Sequence, residues 1–277
     1  MTIILIRGGG DLASGAALRL FRAGFDVAIT EIREPLAVRR TVSFAEAVYE
    51  RRVEVEGIPG ILAGDQEQAA GILTEGGIPV LVDPDLQILR HPNENIKVAA
   101  VVDARLLKTV IPPLPDFFVV GLGPGFIPGE NCDAVIETMR GHTLGRVYWD
   151  RPAAANTGLP EGASGRVVRA PVGGVVRPEV EIGELVEQGE RIGIVRDDDG
   201  REIPIPAGIG GVVRGMIRPG IRVAEGLKIG DIDARGDPAL CALVSDKALA
   251  VGGGALEALL SRPELRALLA GQPERRS

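Results

Sequence analysis

The feature that most constrains the fold is an apolar strand that leads through three glycines into an alanine-rich helix. The run "TIILI" predicts a buried strand, "GGG" its exit turn, and "LASGAALRLFRAGF" a helix that ends at Gly24. The run "DVAITEI" then predicts a second strand and completes a β-α-β unit. Further apolar runs at 78–83, 98–104 and 117–123, and a helical stretch over 65–75, continue this alternation. The pattern predicts a parallel α/β sheet.

An internal repeat of 37 residues constrains the second half of the chain. After a linker-like stretch at 151–166, the sequence changes to short β-rich pieces punctuated by glycine. The first copy holds eleven residues that recur without gaps: Ala170, Gly173, Gly174, Val175, Val176, Arg177, Gly183, Val186, Gly189, Ile192 and Gly193. The second copy holds Ala207, Gly210, Gly211, Val212, Val213, Arg214, Gly220, Val223, Gly226, Ile229 and Gly230. Because neither copy can bury its apolar face alone, we expect the two to close on each other.

This repeat, over residues 170–233, resembles the barrel-sandwich hybrid of lipoyl and biotinyl domains. Those carrier domains display a modified lysine at the hairpin between their two halves. Here the junction turns at Asp197–Gly200 without a lysine, and Lys228 lies inside the second copy. We therefore exclude a swinging-arm carrier, and expect a rigid β module that docks a partner or covers a site.

Together these patterns predict the fold class: an α/β protein with a Rossmann-like parallel sheet domain and a small all-β barrel-sandwich-hybrid-like module. The predicted boundaries are 1–155 for the α/β domain and 166–237 for the β domain. A C-terminal helical segment, 238–277, is expected to pack back on the α/β domain.

Composition narrows the class of partner and the compartment. The net charge of -7 disfavours nucleic acid, because a phosphate backbone needs a concentrated basic face. A small anionic ligand is compatible with this charge. Cys132 and Cys241 cannot build a disulfide framework, which favours the reducing cytoplasm. Neither a signal peptide nor a membrane partner is expected, a multi-histidine metal site is excluded with two His in the chain, and a homo-oligomer is compatible with the sequence.

The first glycine-rich turn matches a dinucleotide-binding motif. Gly8, Gly10 and Ala13 fit G-x-G-x-x-G/A between a strand and a helix, and Glu31 ends the second strand. Glycines let the backbone approach a phosphate, and a carboxylate can accept bonds from ribose hydroxyls. The alternative is a tight turn in which Asp11 caps the helix and the acid at the strand end is solvated. The predicted cofactor-binding residues here are Gly8, Gly9, Gly10, Asp11, Ala13 and Glu31.

Other segments could contribute to the same site. Arg33, Arg39 and Arg40 beyond the second strand could pair with a further phosphate such as a 2′-phosphate, or could belong to a solvated loop. A second glycine loop follows the strand at 117–123, where α/β sheets place ligands, and a third, "GGG", precedes a predicted helix with Lys247 upstream. In both loops the alternative is a simple turn. These segments add the predicted cofactor-binding residues Arg39, Arg40, Gly121, Gly123, Gly125, Gly252, Gly253 and Gly254.

Several long segments resemble the YqeB family, accessory proteins of the selenium-dependent molybdenum hydroxylase system. The resemblance rests on "RGGGDLASGAALRLFRAGF", "EPLAVRRTVSFAEAVYE", "GLGPGF", "ETMRGHTLGRV", "APVGGVVR" and "SDKALAVGGGALEALL". It implies a role in maturing a xanthine-dehydrogenase-like molybdenum enzyme, analogous to XdhC-type insertion factors with a Rossmann-like domain. It identifies no catalytic residues.

The resulting hypothesis is a maturation factor that binds a nucleotide-containing or pterin cofactor and delivers or modifies it for a client molybdenum hydroxylase. The small nucleotide-bearing ligand would be the molybdenum cofactor or NAD(P). The alternatives are an NAD(P)-dependent oxidoreductase, for which no proton-donor pair is apparent, and a non-catalytic scaffold whose glycine loops are turns.

Overall fold

The structure is a computed structural model that describes residues 1–91, 94–107, 109, 111–155 and 165–270. The chain divides into two compact units. Unit 1 comprises Met1–Pro35, Phe44–Thr157 and Val244–Ser277, and unit 2 comprises Leu36–Ser43 and Gly158–Leu243.

Unit 1 is built on one nine-stranded sheet. Its strands are β1 (Thr2–Arg7), β2 (Asp26–Glu31), β3 (Arg52–Val55), β4 (Ile58–Ala63), β5 (Ile78–Val82), β6 (Lys97–Asp103), β7 (Phe118–Leu122), β8 (Ala134–Ile136) and β9 (Val147–Tyr148). Their order in space is β3-β4-β5-β2-β1-β6-β7-β8-β9. The seven strands from β4 to β8 in this order run parallel, whereas β3 and β9 pair antiparallel at the two edges. The sheet is therefore mixed.

The helices of unit 1 are α1 (Asp11–Arg22), α2 (Ala47–Glu50), α3 (Gln66–Thr74), α4 (Gln87–Arg90), α5 (Asp246–Leu260) and α6 (Pro263–Arg266). Short 3-10 turns lie at Arg40–Val42, Phe44–Glu46, Pro238–Cys241 and Ala267–Leu269. Helices α1 and α5 meet through glycine. A Cβ at Gly252 would lie 2.5 Å from the carbonyl oxygen of Gly15, and a Cβ at Gly15 would lie 2.5 Å from that of Ala248. Only glycine permits this close approach.

Several sequence predictions for unit 1 are confirmed. The predicted strand, turn and helix at the start of the chain are β1, the Gly8–Gly10 turn and α1, followed by β2. The apolar runs form β5, β6 and β7, and the stretch over 65–75 contains α3.

Unit 2 contains two four-stranded sheets. Its strands are β10 (Val167–Arg169), β11 (Gly174–Pro178), β12 (Leu185–Val186), β13 (Arg191–Arg196), β14 (Glu202–Pro206), β15 (Gly211–Met216), β16 (Arg222–Val223) and β17 (Lys228–Asp233). One sheet has the order β10-β17-β15-β12 and the other β14-β13-β11-β16, with antiparallel pairs throughout. Each sheet thus receives one short strand, β12 or β16, from the other copy of the repeat.

Residues related by the repeat make matching hydrogen bonds to the other copy. The N–H of Gly183 donates to Val213 O at 2.9 Å, and that of Gly220 donates to Val176 O at 2.8 Å. In the same way, the Gly189 N–H donates to Ala207 O, and its counterpart 37 residues later donates to Ala170 O. The two copies therefore depend on each other for backbone pairing.

The predicted fold class, a Rossmann-like parallel sheet plus a barrel-sandwich-hybrid-like module, is wrong. The large sheet is mixed because β3 and β9 cover its edges in the antiparallel direction. Neither strand is an apolar run: β3 alternates valine with charged residues, as a partly solvated edge strand does, and β9 has two residues. The small strands form two four-stranded sheets.

The division into units also differs from the predicted boundaries. Residues 36–43, predicted to lie in the α/β domain, belong to unit 2. The predicted segment 238–277 is divided between the two units: it belongs to unit 2 up to Leu243 and to unit 1 from Val244.

One segment, Pro238–Leu260, is long and apolar enough to cross a membrane by length and composition. It is not one continuous helix, since α5 begins only at Asp246. Within unit 1, α5 buries Val251, Ala255 and Leu259 and contacts α1. These contacts place the apolar part of this segment within unit 1.

We predict that Gly252→Ala destabilises unit 1 by about 1–3 kcal/mol, because the added methyl group would press on the backbone of α1. Thermal denaturation should show a melting temperature lowered by several degrees. The matched control is Gly253→Ala, next to it in the same helix, where an added Cβ meets nothing within 4 Å. That control should be neutral or more stable by up to about 1 kcal/mol. Equal melting temperatures would contradict the glycine contact.

Candidate functional site

The centre of the large sheet is a point where the strand order reverses. On one side of β1 lie β2, β5 and β4, and on its other side lie β6, β7 and β8, which come later in the chain. Because β1 and β6 run parallel and adjacent, their carboxyl ends lie together. The pairing runs from Thr2 with Lys97 to Arg7 with Asp103 and shifts by one residue between Ile3 and Ile4. Parallel α/β sheets place ligands at such a reversal.

A buried carboxylate joins the ends of these two strands. The Asp103 side chain is 2% exposed and accepts two hydrogen bonds from Arg105, from Nε to Oδ1 at 2.9 Å and from Nη2 to Oδ2 at 2.7 Å. Arg7 Nη1 lies 3.6 Å from Oδ2 of the same carboxylate, and Arg7 Nη2 donates to Pro84 O at 3.1 Å. One carboxylate therefore holds two guanidinium groups.

These two arginines line a cavity of about 540 Å³, which we name the β1–β6 cleft. Its charged lining residues are Arg7, Arg90, Arg105, Asp85 and Asp116, and its apolar ones are Leu86, Leu89, Phe117, Leu114 and the prolines 112, 113 and 115. Burial first, and then the neighbouring Arg105 guanidinium, lower the pKa of Arg7. The positive charge of Arg7 is thus incompletely compensated, and an anion in the cleft would stabilise it.

A second cavity of about 650 Å³, the β4–β5 cleft, lies at the carboxyl ends of β4 and β5. It is lined by Arg33, Arg51, residues 62–66, Gln68, residues 81–83, Gln87 and Ile88. Residues 81–90 contribute to both clefts, so this segment with α4 is a shared wall. Asp83 fixes the start of α4 by accepting N–H bonds from Gln87 and Ile88 at 2.7 and 2.9 Å.

On one side, the glycine turn after β1 packs against other parts of unit 1. Gly9 donates its N–H to Glu31 Oε2 at 2.7 Å and accepts from the Ala45 N–H at 2.8 Å. A Cβ at Gly9 would lie 2.8 Å from the Ala45 nitrogen, which explains the glycine. Gly8 has a φ of +95°, Gly10 caps α1, Asp11 opens this helix and Ala13 is buried within it. The predicted cofactor site at this turn stays a prediction.

The Glu31 carboxylate accepts the Gly9 N–H, which is the donor that a phosphate at this turn would use. This carboxylate also accepts the Ile32 N–H at 2.7 Å, so both oxygens bind backbone. Burial is the main cause that raises the pKa of Glu31, against the lowering effect of these two hydrogen bonds. A phosphate bound at the Gly9 N–H would have to displace this side chain.

The second glycine loop is folded on itself. Gly121 lies within β7 against Phe126, Gly123 has a φ of +78° and donates to Ile136 O, and Gly125 has a φ of +100°. The buried Asn131 fixes the loop by donating to Ile111 O and Gly125 O. These bonds account for the glycines without a ligand.

The third predicted loop does not exist. Gly252, Gly253 and Gly254 lie inside α5, where the helix uses their N–H groups, so the prediction of a loop there is wrong. These glycines instead belong to a helix that needs small residues against α1.

The predicted site residues Arg39 and Arg40 bind backbone carbonyls of unit 2. Arg39 is buried and donates to Leu240 O and Leu243 O. Arg40 donates from Nε to Met216 O at 2.8 Å. Their described contacts are structural.

Of the residues predicted to bind a ligand, Arg33 lines the β4–β5 cleft, and none lines the β1–β6 cleft. Sequence reasoning missed Arg7, Arg90 and Arg105 in the β1–β6 cleft. A signal was present for two of them: "IR" ends the first predicted strand and "DAR" follows the strand at 98–104. Charged residues directly after buried parallel strands share one sheet edge.

Neither cysteine is positioned for sulfur chemistry. Both are free and buried. Burial, and then the Asp133 carboxylate, raise the pKa of the Cys132 thiol to about 12, and burial also raises the pKa of Cys241. Among the described residues, no three His, Cys, Asp or Glu side chains are grouped to hold a metal ion.

Comparison with known proteins gives one curated relative. The chain is 44% identical over 264 residues to "Uncharacterized protein YqeB" of Escherichia coli (strain K12), which covers 93% of this chain and 47% of the relative. The chain thus spans about half the length of the curated relative that it matches. No family model matches the chain.

Solved structures give weaker similarity. An aspartoacylase family protein from Mesorhizobium loti is 12% identical, with 83% of this chain and 84% of that chain covered and a TM-score of 0.28. A succinylglutamate desuccinylase/aspartoacylase from Rhodobacter sphaeroides is 25% identical over 31% of this chain and 29% of that chain, with a TM-score of 0.24. The ectoine utilization protein EutE from Ruegeria pomeroyi, with bound product, is 9% identical, with 83% and 56% covered and a TM-score of 0.25.

These comparisons correct the functional hypothesis drawn from the sequence. The predicted resemblance to YqeB agrees with the relative that is 44% identical. The predicted XdhC-like N-terminal part is wrong, since the similar structures reported above are aspartoacylase and desuccinylase proteins and not XdhC-type factors. The predicted role in molybdenum hydroxylase maturation, with its selenium and cofactor-delivery terms, is wrong for the same reason. The alternatives of an NAD(P)-dependent oxidoreductase and a scaffold find no support in these comparisons either.

We predict that Glu31→Ala destabilises unit 1 by about 1–3 kcal/mol, because two backbone N–H groups lose their acceptor. Burial raises the pKa of Glu31 in the folded protein above its value in the unfolded chain. The contribution of Glu31 to the free energy of unfolding is therefore fully present below the unfolded pKa, and it decreases as the pH rises through the folded pKa. Urea unfolding should therefore show a larger loss at pH 4 than at pH 7.5. The exposed neighbour Glu34→Ala is the control and should change little; a loss that grows with pH would contradict the assignment.

We predict that Cys132 resists alkylation in the folded protein. With a pKa of about 12, its thiolate fraction at pH 8 is on the order of 10⁻⁴, against roughly a quarter for an ordinary thiol. Mass spectrometry of iodoacetamide-treated peptides should show labelling in denaturant and almost none without it. Equal labelling rates in both conditions would contradict the burial of this thiol.

Proposed function

We propose that unit 1 binds a small molecule with an anionic group and an apolar body in the β1–β6 cleft. The observation that carries this proposal is the pair of guanidiniums, Arg7 and Arg105, that share the single buried carboxylate of Asp103. Two positive charges at the ends of adjacent central strands, with one negative charge between them, form a fixed site for an oxyanion.

The remaining charged residues define the polar part of the ligand. Arg90 is exposed and, within the described part of the chain, has neither a carboxylate nor a hydrogen-bond partner. It supplies a third guanidinium. Asp85 and Asp116 are exposed carboxylates in the same lining and can accept hydrogen bonds from hydroxyl or amino groups.

The apolar lining supports binding of a hydrophobic body. Leu86 is buried, Leu89, Leu114 and Phe117 are partly buried, and all four line the cleft. Burying an aliphatic or aromatic group against them is worth roughly 25 cal/mol per Å². The described lining contains no Ser, Thr, Cys, His, Lys or Tyr, so the arrangement supports binding and offers no nucleophile of these types.

For the compartment, we propose the cytoplasm. The support is the pair of free, buried thiols, Cys132 and Cys241, which suits a reducing environment.

We predict that 1-naphthyl phosphate binds more tightly than inorganic phosphate, because only the former fills the apolar part of the cleft. Arg90→Ala should weaken naphthyl phosphate binding at least about tenfold, since a hydrogen bond to a charged group is worth about 1.5–3 kcal/mol. Fluorescence titration at low ionic strength measures both affinities, and added salt should weaken them. Because Arg90 holds no described partner, the melting temperature should not change.

Arg33→Ala, which changes only the β4–β5 cleft, is the matched control and should leave naphthyl phosphate binding unchanged. Arg7 and Arg105 are unsuitable for this test, because removing either leaves the buried Asp103 less compensated and destabilises the fold. Equal affinity of the wild type and Arg90→Ala for naphthyl phosphate would contradict the proposal.

A further inference from the structure

The β4–β5 cleft has the larger volume of the two, about 650 Å³, and different chemistry. It lies at the carboxyl ends of β4 and β5, next to the segment that follows β2 and beside the first turn of α3. Its lining combines guanidinium, carboxylate and amide groups with the apolar side chains of Leu62, Leu81 and Ile88. A ligand here would be held by polar contacts.

Two guanidiniums in this lining are available. Arg33 and Arg51 are exposed and, among the residues that the structure describes, neither guanidinium group has a carboxylate or hydrogen-bond partner. They come from distant parts of unit 1, one after β2 and the other between α2 and β3, and meet in one cavity.

The carboxylates of the same cleft are already engaged. Asp65 caps α3 by accepting the Gln68 N–H at 2.8 Å, and Asp83 accepts two N–H groups at the start of α4. Gln68 Oε1 accepts the Gly64 N–H at 3.0 Å, which leaves its NH₂ group as a donor. The groups without a described partner in this cleft are therefore mainly donors and cations.

The backbone at Arg51 has an unfavourable conformation. Its φ is +64°, a left-handed conformation that is unfavourable for a residue with a Cβ. The Arg51 carbonyl accepts the Leu62 N–H at 2.8 Å, which fixes this conformation. Glycine would adopt this conformation without strain, so a change of Arg51 to glycine removes the guanidinium and adds no backbone strain.

We infer that the β4–β5 cleft is a second ligand site, which takes a compact polar oxyanion, a carboxylate or a phosphate, on Arg33 and Arg51 with the Gln68 amide as a further donor. It differs from the β1–β6 cleft in lacking a third arginine and in offering amide groups. The inference is independent of the ligand proposed for that other cleft.

The test uses the full chain and two probes, malonate and inorganic phosphate, in a low-salt buffer without other multivalent anions. Isothermal titration gives the affinity, and amide chemical shifts of Gly64 and Gln68 report the place of binding. Saturation by malonate alone identifies a carboxylate site, by phosphate alone a phosphate site, and by both with similar affinity a general oxyanion site. Each of these results supports the inference when the shifts localise to this cleft.

Two variants remove the cations without unfolding the chain. Arg33→Ala truncates an exposed side chain, and Arg51→Gly removes the guanidinium while relieving the left-handed backbone. Each should weaken binding of the probe at least about tenfold, whereas Arg51→Gly should keep or raise the melting temperature. Arg52→Ala, at the adjacent exposed arginine, is the matched control and should bind as the wild type.

Three results would overturn the inference. They are absence of saturation by either probe below about 50 mM, unchanged affinity in both Arg33→Ala and Arg51→Gly, and shifts confined to residues outside this cleft. Because Arg90→Ala tests the other cleft with a different probe, failure here leaves the proposed function unaffected, and the reverse also holds.

Discussion

The arrangement of the central cleft depends on the contact between the buried Asp103 carboxylate and the guanidiniums of Arg105 and Arg7. Burying a lone carboxylate costs several kcal/mol, so this group needs its cationic partners to remain inside the protein. Two cations around one anion leave residual positive charge at the adjoining ends of β1 and β6. A contact that compensates a buried charge thus also positions the anion-binding groups.

The interior of the large sheet could be predicted from sequence because buried parallel strands are continuous apolar runs, as in "TIILI" and "IPVLV". Its edges could not. The edge strand β3 alternates valine with charged residues, its partner β4 is interrupted by Pro59 and Gly60, and the two residues of β9 carry no periodic signal. The repeat predicted two mutually dependent halves, but the exchange of β12 and β16 between sheets is set by pairing of distant backbone groups.

The candidate site was harder to predict for a physical reason. Glycine is required both where a backbone approaches a ligand and where it approaches other protein, and one sequence does not distinguish these cases. At Gly9 the neighbour is Ala45, and at Gly252 it is Gly15. The arginines that line the clefts were visible as residue types, but their grouping depends on strand order, which joins positions as distant as Arg7 and Arg105.

The shared wall formed by residues 81–90 links the evolution of the two clefts. Its one-turn helix faces both cavities, so a bulkier side chain that narrows one cleft shifts a backbone that bounds the other. The volumes of the β1–β6 cleft and the β4–β5 cleft therefore depend on each other. Divergence of ligand preference in one cleft is expected to require compensating substitutions on the outer walls, away from this segment, whenever the other cleft must keep its shape.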